Sequence, residues 1–579
     1  MAREGLGPAA GADDGASASS LVSFAFVFNL LIGAGALAIP RPFAQTGFVL
    51  AAPFLICLCF LSLLTSLYMV ETLVSVRLIS QDPVGLRHAM GGKANPSSSS
   101  AADAAARSED EDLLLAGTNS INLSAPVEES GGRRRRQGAS GDAPERVPLL
   151  EDESSQESLD SAAAASSSSS REAGASVVEC KNLEMGALAK KLFSPLGSKV
   201  TYAVLCLYLF GDLSIYAVTI PKSLTALVCP HQLGATPGVL GQEDWPCSNF
   251  QGSDSPGYLR GLTSRTVYRS FVVALGLVQL PFMFQTVQKT LFIQVLSICY
   301  RWSAFFIMAG ICVHQMLGPG AQGNDWRHFT RQRDYSGLMQ LFGVTIYSFM
   351  CHHSLPSLLN PVMARVPKQS LSFAKIAKPV ATALTCCLLV YMLLNTIVSL
   401  RFMPREIEDV ITLNFQNFRP HFVSVFLELF PVCTLGASFP IIACTLRNNL
   451  QTLMLMAYPP RQGARRDSGV KLVEEVVLPL VVLALPLVVA FCTENVEMLV
   501  GLTGSYGGCA IEFVIPTLLV MQARKRLKQH EQTSGGAFAT PRVSLGVLGH
   551  KFFVNLVLVW SAACLVLVTL NHLEPQHTR

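Results

Sequence analysis

Eleven apolar runs, most of them joined by short polar connections, set the pattern of this chain: residues 21–46, 48–76, 200–228, 267–286, 291–317, 337–359, 374–400, 422–446, 473–491, 496–521 and 552–570. Each reaches the roughly 17 to 25 residues a helix needs to cross about 30 Å of hydrocarbon. The predicted fold is an all-α polytopic membrane protein. Two runs are interrupted by residues that do not sustain a helix. The first carries Gly33, Gly35 and Pro40, and the sixth carries Cys351, His352, His353 and Ser354 with Pro356 just beyond. Unpaired backbone in hydrocarbon costs several kcal/mol per group, so a broken helix survives only where protein, solute or ions satisfy the freed groups. Matching breaks in two parts of a chain point to the central binding site of a transporter.

Composition agrees, with 50% hydrophobic and 15% charged residues and a positive mean hydropathy. Basic residues sort by side. With the N-terminus in the cytosol, the inner connections hold Lys289, then Arg365 and Lys368, then Arg447, Arg461, Arg465 and Arg466, then Arg524, Lys525 and Arg526. The outer connections are less basic, and the C-terminus falls outside. A net charge of +4 distributed in this way gives no footprint for nucleic acid. The polar first twenty residues lack the basic start of a cleaved signal peptide.

The expected organisation is a short cytosolic tail (1–20), spans 1 and 2 (21–77), a cytosolic loop (78–199), span 3 (200–228), a luminal loop (229–266), spans 4 to 11 (267–571) and a luminal tail (572–579). The loop 78–199 is rich in Ser, Ala, Gly and acids, buries too little apolar surface to offset its ordering entropy, and is expected to be disordered. Its basic run, Arg133 to Arg136, reads as a solvated stretch balanced by Glu151, Asp152 and Glu153, with a visit to anionic headgroups as the alternative. Two strings have the form of acidic dileucine sorting signals: Glu109 before Leu113 and Leu114, and Glu145 before Leu149 and Leu150. A carboxylate and two leucines on an extended segment suit a sorting adaptor, although such strings also arise by chance.

Most of the sixteen cysteines lie within spans as small apolar fillers. Cys229 and Cys247 both fall in the expected luminal loop, where an oxidising lumen allows them to pair. The acceptor string at Asn122 lies in the expected cytosolic loop, so no N-glycan is predicted.

Charges at membrane depth need partners. At ~1.5 Å per residue, Asp212 lies about 18 Å along the third span and Arg301 about 15 Å along the fifth, with Glu428 at similar depth in the eighth. Midplane charges are expensive, so they pair or line a wet path. Two readings stand: a structural charge pair among Asp212, Arg301 and Glu428, or a carboxylate that titrates during a transport cycle. Glu494, Glu497 and Glu512 read as span-end residues. Cys351, His352 and His353 form neither a metal site nor a catalytic pair, because adjacent helical residues diverge by about 100° and nothing is spaced to orient a base. No enzyme chemistry and no metal site is expected.

The motifs carry a resemblance. Asn29, Gly33, Gly35, Leu37 and Pro40 in the first span, Phe349-Met-Cys351-His352 in the sixth and Phe439-Pro440 with Leu446-Arg447 in the eighth resemble the amino acid/auxin permease superfamily. Gly-Asp-Leu-Ser-Ile-Tyr in the third span and Leu-Arg-Asn-Asn from Leu446 resemble one branch of it in particular. The resemblance covers nearly all of the chain outside 78–199. It implies two inverted five-helix repeats plus one extra helix, with an amino acid held where spans 1 and 6 unwind, against Asn29, Gly33, Ala34, Gly35 and Ala36 and against Cys351, His352 and Ser354. It also implies a coupling cation, Na+, between Asn29 and Ser438, with a proton on Asp212 as the alternative. No other cofactor is implied.

Physical chemistry leads to a compatible reading. A half-helix start offers N–H groups and the positive end of a dipole to a carboxylate, and unwound carbonyls take a cation. Close helix packing is the alternative role for Gly33 and Gly35. A second function class also stands, an amino acid sensor on an endosomal or lysosomal membrane that signals through its cytosolic loop. Deleting that loop separates the two, since transport would persist and signalling would stop.

Overall fold

The computed structural model of the chain describes residues 24–25, 27–28, 30–80, 184–229, 247, 262–284, 291–317, 335–365, 373–416, 418–458, 472–533 and 545–573. Regular structure in these is helical. Span 1 contains α1 (Ala34–Ala38) and α2 (Pro40–Thr46), and span 2 is α3 (Phe48–Ser80). A short helix α4 (Met185–Leu192) precedes span 3, α5 (Pro195–Val228), which is followed by α6 (Ser264–Gln279) and α7 (Leu291–Leu317). Span 6 is split into α8 (Tyr335–Phe349) and α9 (Leu355–Arg365). The remaining spans are α10 (Phe373–Arg401), α11 (His421–Ala457), α12 (Leu478–Cys492), the interrupted pair α13 (Val496–Thr503) and α14 (Ile515–Thr533), and α15 (Lys551–Leu573).

Among the described residues, nine helices are long and apolar enough to cross a membrane, and Gly337–Phe349 is a shorter apolar helix. Leu207, Leu277, Phe306, Leu389, Leu485 and Val559 stand exposed on six different spans, an arrangement that suits contact with lipid chains. This is an integral multi-pass membrane protein. Span 3 is buried along most of its length and packs against spans 4, 8, 9 and 10. Four spans lie between spans 1 and 6, an even number of crossings, so the two broken helices run antiparallel.

Proline does not by itself account for the breaks. Pro53, Pro221, Pro379, Pro440 and Pro486 all lie inside continuous helices. Pro40 and Pro356 instead occupy the first turn of a helical segment, where the missing N–H costs no bond.

Three expectations about extent are corrected. Residues Met185–Leu192, inside the expected loop 78–199, form the helix α4. Met185, Leu188, Ala189 and Leu192 of α4 are buried, the i, i+3, i+4, i+7 stripe of an amphipathic helix. α4 is fastened to α5 where Ser198 donates to the Ala189 carbonyl at 3.1 Å, and Ser194 caps α5. Span 8 continues to Ala457 rather than 446. Span 10 reaches Thr533 and contains two π-helical stretches, Gly504–Gly508 and Ala510–Val514. This part of span 10 meets span 6 backbone to backbone, with the Ser505 hydroxyl and the Tyr347 Cβ flanking the contact. A Cβ on Gly343 would stand 2.9 Å from the Gly501 carbonyl carbon, and one on Gly504 would stand 2.8 Å from the Gly343 carbonyl carbon.

Candidate functional site

The two breaks meet at one hydroxyl. In span 1 the Ile32 N–H closes a last helical bond to Phe28 at 3.2 Å, the Gly33 N–H turns back to Leu31 at 3.0 Å, and Gly33 is extended before α1 begins. In span 6, α8 ends at Phe349 and α9 begins at Leu355, with the N–H groups of Ser354 and Leu355 both donating to the Cys351 carbonyl. Tyr391, fully buried on span 7, donates to the Leu31 carbonyl at 2.8 Å and also lies 3.3 Å from the Ser348 carbonyl. Ser62 of span 2 donates to the Phe349 carbonyl at 3.4 Å, and the guanidinium of Arg301 donates to the Ile32 carbonyl. Several of the freed carbonyls are therefore satisfied by side chains of neighbouring spans, which is how non-helical backbone persists at this depth.

Gly33 and Gly35 play different parts. Among the described residues, a Cβ on Gly33 would meet nothing within 4 Å, whereas one on Gly35 would stand 2.8 Å from the Ser348 Cα and 2.9 Å from the Tyr347 ring. Gly35 therefore lets span 1 lie against span 6, and Gly33 borders open space. Ala34 and Ala36 are buried beside them. At Gly35 the residues of span 6 are Tyr347 and Ser348, one turn before 351–354. Cys351 and His352 turn toward span 2: the His352 Nε2 lies 3.0 Å from both the Thr65 and the Ser66 hydroxyls, and the Cys351 Sγ lies 3.6 Å from Ser66. Ser354 is half-buried at the start of α9.

The expected charge pairing takes a different form. Tyr347 donates its hydroxyl to Asp212, linking span 3 to the residue beside the break, and Ser424 donates to Glu428 at 3.0 Å on its own helix. Among the described residues each carboxylate accepts from a hydroxyl, and the Arg301 guanidinium donates to the Ile32 carbonyl. The Ser438 hydroxyl is bonded to the Thr434 carbonyl of its own helix at 3.0 Å. Asn29 lies outside the described residues, as do Glu109, Leu113, Leu114, Glu145, Leu149 and Leu150. Cys229 and Cys247 are joined as a disulfide with a Cα–Cα distance of 5.0 Å. Among the described residues no group of three metal-ligating side chains gathers.

Comparison with known proteins places this geometry in context. The model of the family described as transmembrane amino acid transporter protein matches residues 167–539, from the approach to span 3 through span 10. The chain belongs to that family. The model of the tryptophan/tyrosine permease family matches residues 16–91, which hold spans 1 and 2. Relatives called transmembrane protein 104 run along almost the whole chain. The one from Gallus gallus is 30% identical over 96% of this chain and 97% of its own. The Drosophila melanogaster homolog is 31% identical over 96% and 97%, and that of Dictyostelium discoideum 29% over 97% and 98%.

Within this family member the membrane body holds further polar groups that the sequence reading missed. Glu512, expected near a span end, is buried in the second π-helical stretch of span 10, within electrostatic reach of Ser62, Cys59 and Cys351. Arg41 of α2 reaches Glu497 of span 10 at 3.3 Å. Lys222 of span 3 holds both oxygens of Asp409 at 2.7 Å, and Asp409 also accepts from the Val496 N–H at 3.0 Å. Near the start of α15, Arg524 makes a two-pronged pair with Glu71 at 2.6 Å and donates to the Gly549 carbonyl at 2.7 Å. None of these pairings has a local sequence signal, since each joins residues far apart in the chain.

Proposed function

We propose that this protein is a secondary transporter of amino acids that works by alternating access around the breaks in spans 1 and 6. The observation that carries the reading is the Tyr391 hydroxyl, held against a carbonyl of each broken helix and thus able to register any change in their separation. The open space at Gly33 and the N–H groups that begin α1 suit the α-carboxylate of a zwitterion. The family match supports the substrate class.

Coupling is assigned to a proton on Asp212. Its partner Tyr347 is adjacent to Ser348 at the break, so a change of charge on Asp212 acts directly on the helix that borders the solute. The titratable groups around it are Tyr208 and Tyr216 on its own helix, Tyr347 on span 6 and, next to those tyrosines, Arg301 of span 5, His353 of span 6 and Glu512 of span 10. The same reading sets the N-terminus in the cytosol, places the protein on an endosomal or lysosomal membrane and gives the two dileucine strings to sorting adaptors. Reconstituted protein offered a panel of radiolabelled amino acids, with and without a pH gradient, tests the proposal. Accumulation of at least one of them is expected, and folded protein that neither binds nor moves any would sink it.

A further inference from the structure

We infer that Arg301 is a resident cation of the broken first helix, its charge already holding the carbonyl end of that helix against a second cation, so that solute handling in this protein does not depend on sodium. The inference rests on the reading of the two breaks as a solute site and adds to it the identity of the charge that neutralises the break.

A helix that ends in mid-membrane leaves its last carbonyls unpaired and concentrates partial negative charge there. In span 1 the carbonyls of Leu31 and Ile32 stand at this end. Leu31 accepts from the Gly33 N–H and from the neutral hydroxyl of Tyr391, and Ile32 accepts from the guanidinium of Arg301. Arg301 is buried and remains charged in any ordinary environment. A fixed positive charge already bonded to the carbonyl opposes entry of a second cation at the same place.

The neighbours of Arg301 show how it is aimed. Tyr300 donates to the Phe426 carbonyl of span 8 at 2.6 Å, with its ring against Phe426 and Phe430. Trp302 stacks on Phe28 of span 1 at 4.8 Å, one helical turn before Ile32. Two aromatic anchors therefore fix the register of span 5 on either side of the arginine. Ser438, implied for a cation by the resemblance, fits this picture, since its hydroxyl is bonded within its own helix.

The test uses purified full-length protein in lipid nanodiscs, with thermal unfolding and solute binding followed in sodium, choline and guanidinium chlorides at matched ionic strength. The wild type should unfold at one temperature in sodium and choline and should bind solute equally in both. Arg301→Ala should unfold earlier and bind solute more weakly by roughly tenfold, the factor of a charge-assisted hydrogen bond, and millimolar guanidinium should restore both. Arg301→Lys should keep most of the stability. A sodium-specific stabilisation of the wild type, or sodium-dependent binding by it, overturns the inference. So does Arg301→Ala that matches the wild type in stability and ignores guanidinium. If Arg301→Ala does not fold, the wild-type comparison of sodium with choline decides alone. The unfolding readout needs no solute, so guanidinium rescue in a protein that binds no amino acid would retire the transport reading and leave the resident cation standing.

Discussion

Gly33 and Gly35 are two residues apart, and the structure assigns them opposite responses to the same added methyl group. At Gly35 a Cβ would lie 2.8 Å from the Ser348 Cα and 2.9 Å from the Tyr347 ring, against about 3.5 to 4.0 Å for carbon atoms in comfortable contact. The Ser348 Cα is backbone and has no rotamer to change, so α1 and α8 must separate by about 0.7 Å or more. Overpacking of this kind costs roughly 1 to 3 kcal/mol, and here it also stretches the paired bonds from Tyr391 to Leu31 and Ser348. At Gly33 the methyl meets open space among the described residues, and extended backbone accepts alanine. Thermal unfolding of both variants in nanodiscs, alongside solute binding, separates the two roles. Gly35→Ala should lose stability with or without solute. Gly33→Ala should fold as the wild type does but bind solute less well, because the methyl occupies the space the solute needs. A Gly35→Ala protein as stable as the wild type, or a Gly33→Ala protein with unchanged binding, would refute the division of labour.

Three other outcomes follow from the geometry. Glu71→Gln should lower stability by about 3 kcal/mol, the lower end of the range for breaking a buried pair, because Arg524 keeps some solvent contact; the double variant with Arg524→Met should regain part of it in a double-mutant cycle, and strict additivity would count against the coupling. Asp212→Asn keeps the shape and removes the ionisable group, so uptake that rises with an inward proton gradient in the wild type should become flat in the variant, and an unchanged pH profile would reject Asp212 as the coupling group. Replacing Leu113, Leu114, Leu149 and Leu150 with Ala should send the protein to the cell surface by fluorescence imaging, and wild-type placement would show that the two strings carry no address.

Much of the frame was legible in the sequence. Hydropathy located the spans, because each must be apolar over a fixed length, and the glycines with their neighbouring prolines located the breaks in spans 1 and 6. The disulfide was legible from two cysteines outside the spans. The groups that complete the breaks were not. Arg301 was evident as a charge needing a partner, but the helix rotation that directs it at Ile32 depends on Tyr300 and Trp302 packing against two other spans. Tyr391 gave no signal, since a tyrosine in an apolar run reads as an interfacial anchor until its hydroxyl is located. Glu512 was misplaced because span 10 runs on to Thr533 rather than ending at 521, which puts residue 512 near its middle. Helix α4 was hidden by its Ser- and Ala-rich surroundings, although its stripe of Met185, Leu188, Ala189 and Leu192 has the right period.

The seam between Gly343 and Gly504 bears on how the machine moves. The two backbones touch there, with the Ser505 hydroxyl and the Tyr347 Cβ wedged alongside, so the helices neither slide nor roll past each other without first parting. The first half of span 6 and the start of span 10 are therefore expected to travel as a single spar. Spin labels placed one on each, at exposed positions away from the seam, should report a constant separation while labels across the Tyr391 hydroxyl report a changing one. Any inhibitor that wedges into the seam would halt the spar as a whole, without having to resemble the cargo.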